Sequence, residues 1–262
     1  MQWLESIILG LVQGLTEFLP VSSSGHLVIF QELMGFKPDG GIVFEVAVHV
    51  ATLVAIVLFY RKRVGELTVG TFTLQTDALR YVGKLVVGTL PAIAVALLAR
   101  EFIEAQFSAP AVAGSMLLIT GFIVWSTRYT ITKGTATEPT WANALLIGCA
   151  QAFAILPGIS RSGTTVAAAM ALGLTPLAAA EFSFLLGVIA IAGAAILLMP
   201  DMLQADSALL GSIVIGGIAA LISGLAALVT FVWFLKKQKF YAFAWYAWAA
   251  GAAFLVWLQF SR

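Results

Sequence analysis

The sequence predicts an all-α, polytopic membrane protein, and three observations support this fold class. Of its 262 residues, 61% are hydrophobic and only 10% are charged, unlike a soluble globular domain. Several apolar runs exceed the ~18 residues that a helix needs to cross a bilayer. These runs are continuous rather than alternating, which predicts helices and excludes a membrane barrel. We therefore expect one integral membrane domain over residues 1–262.

Charge and cysteine content exclude several classes of function. The formal net charge is +1, so nothing suggests a nucleic-acid partner. The chain has one cysteine, Cys149, which excludes an intrachain disulfide, and no Cys/His cluster has zinc spacing. The first apolar run lacks a basic leader and a cleavage site, so we do not expect a signal peptide.

Taken in order, the elements are two interrupted hairpins and six full spans. The first hairpin consists of an apolar run to Phe18, a polar break at 19–26 and a short helix at about 27–34, before a turn at 35–41. The second has a half-helix at 140–156, a polar break, and a helix at 164–172. A polar, interfacial segment is expected at 64–78, and a kink at Pro91. The six predicted spans are 41–60, 81–99, 111–129, 176–199, 209–235 and 240–260.

The two hairpins resemble each other, which predicts an internal repeat. Gly10 and Gln13 match Gly148 and Gln151 at an offset of 138. At the same offset, Ser22, Ser24 and Gly25 match Ser160, Ser162 and Gly163. Each hairpin precedes three spans, so repeat 1 (about 1–135) and repeat 2 (about 136–262) should be inverted relative to each other. Their polar breaks would then approach the membrane midplane from opposite faces.

The distribution of basic residues predicts the orientation. If Arg61 is cytoplasmic, ten Lys and Arg residues, Arg61 included, lie on the cytoplasmic side of the membrane and three lie on the opposite side. This positive-inside bias predicts that both termini, and the mouth of the first hairpin, face the exterior.

The first polar break carries the groups needed for proton transfer and nucleophilic attack. Gln13 and Glu17 share one helix face, and Glu17 and His26 flank Ser22, Ser23 and Ser24. An acid, a hydroxyl and an imidazole could supply a metal ligand, a nucleophile and a general acid or base. The alternative is that the serines cap a helix and the carboxylate is structural.

The second polar break, 158–165, has the composition of an anion-binding loop. It contains Arg161, whose guanidinium is suited to binding phosphate oxygens, and glycines that leave backbone N–H groups accessible to an anion. The alternative is a polar loop whose arginine pairs with a carboxylate. The predicted binding residues of this loop are Ser160, Ser162, Gly163, Thr164 and Thr165.

Three ionisable residues on predicted spans need separate treatment, because such groups are costly at membrane depth. Glu45 is predicted to belong to the site or to a structural pair, and His49, four residues later, to be structural or supporting. Glu181 is expected to orient Arg161 or to cap the helix that starts at Pro176.

The two motifs, QGLTEFLPVSSSGH from Gln13 and PGISRSGT from Pro157, resemble those of the undecaprenyl-diphosphate phosphatase family, bacterial membrane enzymes linked to bacitracin resistance. The resemblance covers nearly the whole chain. It implies hydrolysis of undecaprenyl diphosphate to undecaprenyl phosphate and inorganic phosphate, which recycles the lipid carrier for peptidoglycan synthesis. It also implies a bacterial plasma (inner) membrane location, and a divalent cation, Mg²⁺ or Ca²⁺, with Glu17 as its ligand.

Within this resemblance, the family's essential serine, histidine and arginine fall on Ser23, His26 and Arg161. The sequence does not choose between Ser23 and His26 as nucleophile, and direct attack by water is a third route. A polyprenyl-phosphate flippase or other secondary transporter is the rival function, since inverted repeats with broken helices also build transporters. A homodimer and a monomer are both compatible with the sequence.

Overall fold

Helices account for most of the described residues in the computed structural model, which describes residues 2–34, 42–203 and 207–261. The predicted turn at 35–41 lies outside these residues. The described ranges contain no β-strand; Ala136 and Leu174 form one isolated bridge. The α-helices of these ranges are α1 Gln2–Phe18, α2 Ser23–Met34, α3 Ile42–Phe59, α4 Arg61–Phe72, α5 Thr76–Leu98, α6 Arg100–Phe107, α7 Pro110–Ser126, α8 Trp141–Phe153, α9 Arg161–Ala171, α10 Pro176–Leu203, α11 Ser207–Lys236 and α12 Phe243–Phe260.

The all-α membrane architecture is confirmed. Among the described residues, five helices are long and apolar enough to cross a membrane, namely those of spans 76–98, 110–129, 176–193, 209–236 and 240–260. A sixth span is present if α3 and α4, which meet at an angle of 85°, are taken as one broken span. The predicted span at 41–60 corresponds to α3, and α5 continues without interruption through Pro91.

The half-helices of the second hairpin begin and end where the sequence supplies capping groups. Thr140 caps α8 by accepting a hydrogen bond from the Asn143 N–H at 3.1 Å. Ser160 caps α9 by accepting from the Gly163 N–H at 3.1 Å. These side chains satisfy N–H groups that have no partner inside the helix. The break between α8 and α9 is therefore built from local chemistry.

The hairpins pack reciprocally on the opposite halves of the chain. Helix α1 lies along α11, and α8 lies along α5. Both crossings are close enough that only glycine fits: a Cβ on Gly10 would collide with the Gly216 carbonyl, and one on Gly148 with the Gly88 carbonyl. Such small-residue crossings are typical of membrane helices. Reciprocal packing is what two related repeats would produce, and their inversion across the bilayer stays a prediction.

An ionic network joins α4, α5, α10 and the segment before α8. The Arg63 Nε donates to Glu181 Oε1 at 2.9 Å, and Arg63 also lies 3.7 Å from Glu138. Lys84 lies 3.3 Å from the same Glu138.

Glu181 has a further partner in this network. The Tyr81 hydroxyl contacts Glu181, and the Tyr81 ring lies under the Arg63 guanidinium. Glu181 therefore pairs with Arg63 and neither orients Arg161 nor caps α10, where Thr175 accepts from the Ala178 N–H.

Candidate active site

The two polar breaks meet inside the protein. A Cβ on Gly25 would lie 2.8 Å from the Gly158 Cα, so the two loops are in direct backbone contact there. Ser162 Oγ donates to the Leu19 carbonyl at 3.3 Å, which ties the second loop to the end of α1. The two segments that the sequence separates by 138 positions thus form one site.

Each loop begins its helix with the same serine geometry. In the first, Ser22 Oγ accepts from the Gly25 N–H at 3.2 Å and lies 3.3 Å from Ser24 Oγ. In the second, Ser160 Oγ accepts from the Gly163 N–H and lies 3.3 Å from Ser162 Oγ. These three pairs of positions are the ones that match at the repeat offset, so the sequence similarity has a structural basis.

The second loop is fastened from α7. The Thr120 hydroxyl donates to the Gly158 carbonyl at 2.7 Å and accepts from the Ser160 N–H at 3.0 Å. Gly158 has φ +95°, which side chains rarely adopt, and a Cβ there would collide with the Ala113 carbonyl. A polar residue in an otherwise apolar span therefore fixes the loop that carries Arg161.

Glu17 is the centre of the polar contacts. Arg161 Nη2 donates to Glu17 Oε1 at 2.5 Å. The other oxygen, Oε2, accepts from Ser23 Oγ at 2.6 Å and from Gln13 Nε2 at 3.1 Å. Glu17 is only 7% exposed, so its negative charge depends on these donors. The carboxylate is held in one orientation, directed at the Ser23 hydroxyl.

Glu17, Ser23 and Arg161 face a cavity of about 180 Å³. His49 of α3 also lines it, with Nε2 at 3.7 Å from Glu17 Oε2. The His49 ring is fixed by a 2.7 Å bond from Nδ1 to the Glu45 carbonyl, which only accepts, so Nδ1 carries a hydrogen. The remaining lining residues are Ser22, Ser23, Ser24, Ala154, Ile155, Ile159, Ser160, Arg161 and Ile191.

The cavity is suited to an anion with several oxygens. The N-termini of α2 and α9 both reach it, and each contributes unpaired N–H groups and the positive end of a helix dipole. Arg161 carries five N–H donors and contacts Glu17 through Nη2 and the Ser183 carbonyl through Nη1. The Ser23 hydroxyl at the start of α2 donates a hydrogen bond to the Glu17 carboxylate, which can take its proton. This is the arrangement of an anion cradle beside an activated nucleophile.

Comparison with known proteins agrees with this arrangement. Residues 6–253 match the family model described as bacitracin resistance protein BacA. The chain belongs to the BacA family. It is 40% identical to an undecaprenyl-diphosphatase of Desulfatibacillum aliphaticivorans, over 98% of this chain and 99% of that protein. It is 35% identical to one of Desulforapulum autotrophicum (96% of each) and 34% identical to one of Acinetobacter baumannii (98% and 96%).

Six of the predicted site residues of this BacA-family chain line the cavity, and these are Glu17, Ser22, Ser23, Ser24, Ser160 and Arg161. Gln13 supports them from behind through its bond to Glu17. The prediction that both loops contribute to a single site therefore agrees with the geometry.

His26 lies elsewhere, although the sequence grouped it with Ser23. Its Nδ1 donates to the Ser22 carbonyl at 2.8 Å, and its Nε2 is 2.9 Å from the Tyr246 hydroxyl, with the two rings stacked. The ring faces a separate apolar groove between α1, α2 and α12. Ser23 and His26 are three residues apart on α2, a spacing that alone would place them on one helix face, but the bonds to Ser22 and Tyr246 hold the His26 ring in the groove.

Five further predicted binding residues do not line the cavity. Glu45 instead accepts from Gln31 Nε2 at 2.8 Å. The others are buried in the frame that holds the second loop: Ser162, Gly163, Thr164 and Thr165. Thr165 Oγ1 bonds the Arg161 carbonyl at 2.7 Å and also contacts Ser183 Oγ, so it positions the start of α9.

Sequence reasoning missed three residues that shape the site, and underrated His49. Thr120 holds the second loop, and the Ser183 carbonyl accepts from Arg161 at 3.4 Å. Gly187 lies so close to Arg161 that a Cβ there would collide with the guanidinium. In the sequence, these residues could be noticed only as polar residues or glycines within apolar spans. His49, which follows Glu45 by four residues on such a span, was the clearest case.

The donor set does not fit a resident divalent cation. Among the described residues, no three His, Cys, Asp or Glu side chains converge as a metal site. Glu17 is the one carboxylate on the cavity within the part of the chain that the structure describes, and both of its oxygens already accept hydrogen bonds, one of them from Arg161. Gln13 offers no charge where a second carboxylate would be needed.

Proposed function

We propose that this protein hydrolyses undecaprenyl diphosphate to undecaprenyl phosphate and inorganic phosphate. The observation that carries the proposal is the 2.6 Å bond from Ser23 Oγ to Glu17 Oε2 inside a cavity also lined by Arg161. The 34–40% identity to proteins named undecaprenyl-diphosphatase supports the same substrate. This activity would recycle the lipid carrier for peptidoglycan synthesis and confer bacitracin resistance.

In the first step, Ser23 Oγ attacks the terminal phosphorus. The Oγ–P bond forms, the bond from phosphorus to the bridging oxygen breaks, and undecaprenyl phosphate leaves. The Ser23 proton passes to Glu17, which already accepts it in a hydrogen bond. Arg161 and the N–H groups at the start of α2 and α9 stabilise the charge that develops on the phosphoryl oxygens.

In the second step, water attacks the phosphoserine. The new O–P bond forms, the Oγ–P bond breaks, and inorganic phosphate is released. Glu17 returns to Ser23 Oγ the proton that it took up, and the protons of the attacking water leave with the inorganic phosphate, which restores the starting state. His49 lines the same cavity, 3.7 Å from Glu17, where it can orient the incoming water.

Ser23 is favoured over His26 as the nucleophile by position. His26 is 3% exposed and has both ring nitrogens engaged, by Ser22 and Tyr246. Attack by His26 would require both bonds to break and the ring to cross to the cavity. The role that we propose for His26 is to hold the Ser22 carbonyl, and with it the turn before Ser23.

A divalent cation is proposed as a companion of the substrate and not as a resident ion. Mg²⁺ commonly binds through substrate phosphates with few protein ligands, and a diphosphate supplies such oxygens. No step of the mechanism above depends on it.

We further propose that the protein lies in the bacterial plasma (inner) membrane with the cavity open to the exterior. The excess of basic residues on one side supports this orientation. The ionic network around Arg63 would then lie on the cytoplasmic side. The polyprenyl-phosphate flippase is the second candidate, supported by the reciprocal packing of the two halves.

The test is phosphate release from undecaprenyl diphosphate by the purified protein in detergent, where no gradient exists. We expect release by the wild type and a loss of at least ~10³-fold in Ser23→Ala, because the nucleophile is removed. A brief reaction with labelled substrate should give phosphoserine at Ser23. Folded protein that releases no phosphate would leave the transporter as the better reading, and a label on histidine would overturn the Ser23 mechanism.

A further inference from the structure

A second, apolar groove opens beside the catalytic cavity. It has a volume of about 450 Å³ and lies between the end of α5, α6 and the end of α8. All of its lining residues are apolar or, in the case of Cys149, weakly polar. Val95 and Phe153, at its edge, are 37% and 44% exposed, so the groove is open at the surface. The mechanism does not use it.

The groove adjoins the cavity at Ile155. This residue lines both spaces, so the apolar lining lies directly beside the polar one. Ser160 and Arg161 follow Ile155 by five and six residues, in the break between α8 and α9 and at the start of α9. A molecule with a diphosphate head in the cavity would have an apolar path available directly beside it.

Helix α6 forms the far wall of the groove through Phe102 and Ile103. None of its residues is buried, and its charged side, with Arg100 and Glu104 paired at 2.7 Å, is exposed. This is the pattern of a short helix lying at a membrane interface with apolar side chains toward the lipid. The groove therefore connects the midplane cavity to a surface in contact with acyl chains.

The groove at His26 lacks this adjacency to the cavity. It has a volume of about 380 Å³ and is also apolar, but it shares no lining residue with the cavity. The stacked rings of His26 and Tyr246 stand on its wall. A lipid there would be separated from the catalytic groups by the first loop itself.

We propose that the α5–α6–α8 groove binds the first isoprenoid units of the substrate, next to the diphosphate. This inference rests on the proposed function, and it assigns the part of the protein that recognises the lipid chain. The remaining length of the chain would continue past Phe102 into the bilayer. The groove, and not the polar cavity, would then distinguish long-chain from short-chain diphosphates.

Cys149 gives a direct test, because it lines the groove, is exposed and is the single cysteine of the chain. The rate of maleimide labelling is measured in detergent with undecaprenyl phosphate, inorganic phosphate or phosphatidylglycerol. We expect labelling to slow about tenfold when undecaprenyl phosphate is present at about ten times its Kd, and not with the other two. The matched control is Cys149→Ser with Leu11→Cys, since Leu11 is the repeat counterpart and is similarly exposed.

Two results of the labelling would overturn the proposal. One is protection of the Leu11→Cys control equal to that of Cys149. The other is no selective protection of Cys149 by undecaprenyl phosphate, whether because labelling is unaffected or because phosphatidylglycerol protects equally. Neither result depends on catalysis, so both are distinct from a failure of phosphate release, which would overturn the proposed function.

A second variant tests the groove through specificity. Val95→Trp would fill the groove from its open side, and Val95 makes no contact with the cavity. We expect the ratio of KM for undecaprenyl diphosphate to KM for isopentenyl diphosphate to rise about tenfold, equivalent to about 1.4 kcal/mol. An unchanged ratio in a variant that elutes as folded protein would count against the groove.

Discussion

The two polar loops share a frame and differ in their chemistry. Both start a helix with a serine that caps it and a second serine two residues later, and the two meet at Gly25 and Gly158. The position that follows the capping serine is Ser23 in the first loop and Arg161 in the second. The proposed nucleophile and the residue proposed to stabilise the transition state therefore occupy equivalent positions in the two loops.

The carboxylate shows the opposite situation, because only one copy has it. Glu17 in the first half corresponds to Ile155 in the second at the repeat offset, and both line the cavity. The first half thus contributes the carboxylate that we propose as the base, and the second contributes an apolar residue that also lines the groove. The two loops therefore have the same backbone frame, while the side chains that each contributes to the site differ.

After Ser23→Ala, the largest effect is expected from removing the arginine. Arg161→Ala should lower kcat for phosphate release by about 10²–10³-fold, because a preorganised donor is lost. It should also destabilise the protein by about 3–5 kcal/mol, since Glu17 is left buried without its partner.

Two further variants separate these effects. Adding Glu17→Gln to Arg161→Ala should restore much of the stability without restoring activity. Arg100→Ala, which removes an exposed ion pair, is the matched control and should leave both quantities close to wild type. A stable but inactive Arg161→Ala would show that Glu17 does not depend on this pair.

A smaller effect is expected at Gly187, which leaves room for the arginine. A Cβ there would collide with the guanidinium of Arg161, so Gly187→Ala should displace it and lower kcat about tenfold to a hundredfold. The matched control is Gly193→Ala on the same helix, where a Cβ would meet nothing within 4 Å. Equal activity of the two variants would mean that the Arg161 position is not critical.

The frame itself can be tested at the two glycine crossings. Gly10→Ala and Gly148→Ala should each destabilise the protein by about 1–3 kcal/mol, because each Cβ would meet a backbone carbonyl. Unfolding in detergent should show similar losses for both if the crossings are equivalent. Gly211→Ala on α11, which has open space around it, should be neutral or slightly stabilising.

The smallest effect is expected at His26. His26→Ala should lower activity about tenfold by releasing the Ser22 carbonyl, whereas His26→Asn should retain most activity because its amide can donate to the same oxygen. The pH profile of kcat should keep its shape in both variants. A profile that loses one limb in His26→Asn would instead assign proton transfer to this residue.

The fold was predictable because long apolar runs leave a membrane chain few alternatives. The existence of two related loops was also predictable, since Ser22, Ser24 and Gly25 recur as Ser160, Ser162 and Gly163. The direction of a side chain within a loop was not. Ser22 adopts a φ of +67°, which a serine rarely takes, and this turn sets which of the following residues face the cavity. For this reason His26 was wrongly predicted to line the cavity, and His49 was predicted to be only structural or supporting.

Contacts between residues of distant segments were equally unpredictable from the sequence. Glu181 lies on α10 two residues before Ser183 and six before Gly187, both of which contact Arg161, yet it pairs with Arg63 of α4. Thr120 lies in an apolar span, and only its contact with Gly158 reveals its purpose. No periodicity in one segment can specify a contact made by another segment.

The packing of α1 on α11 has a consequence for the synthesis of the protein. The surface that α1 needs lies about two hundred positions later in the chain, so the first hairpin enters the membrane long before its partner is made. Until then its buried polar groups have no permanent surroundings, and a contact between such distant segments forms slowly. The closing of α11 over α1 should therefore be a late event in assembly, so that Glu17 and Ser23 would reach their working positions only in a nearly complete chain.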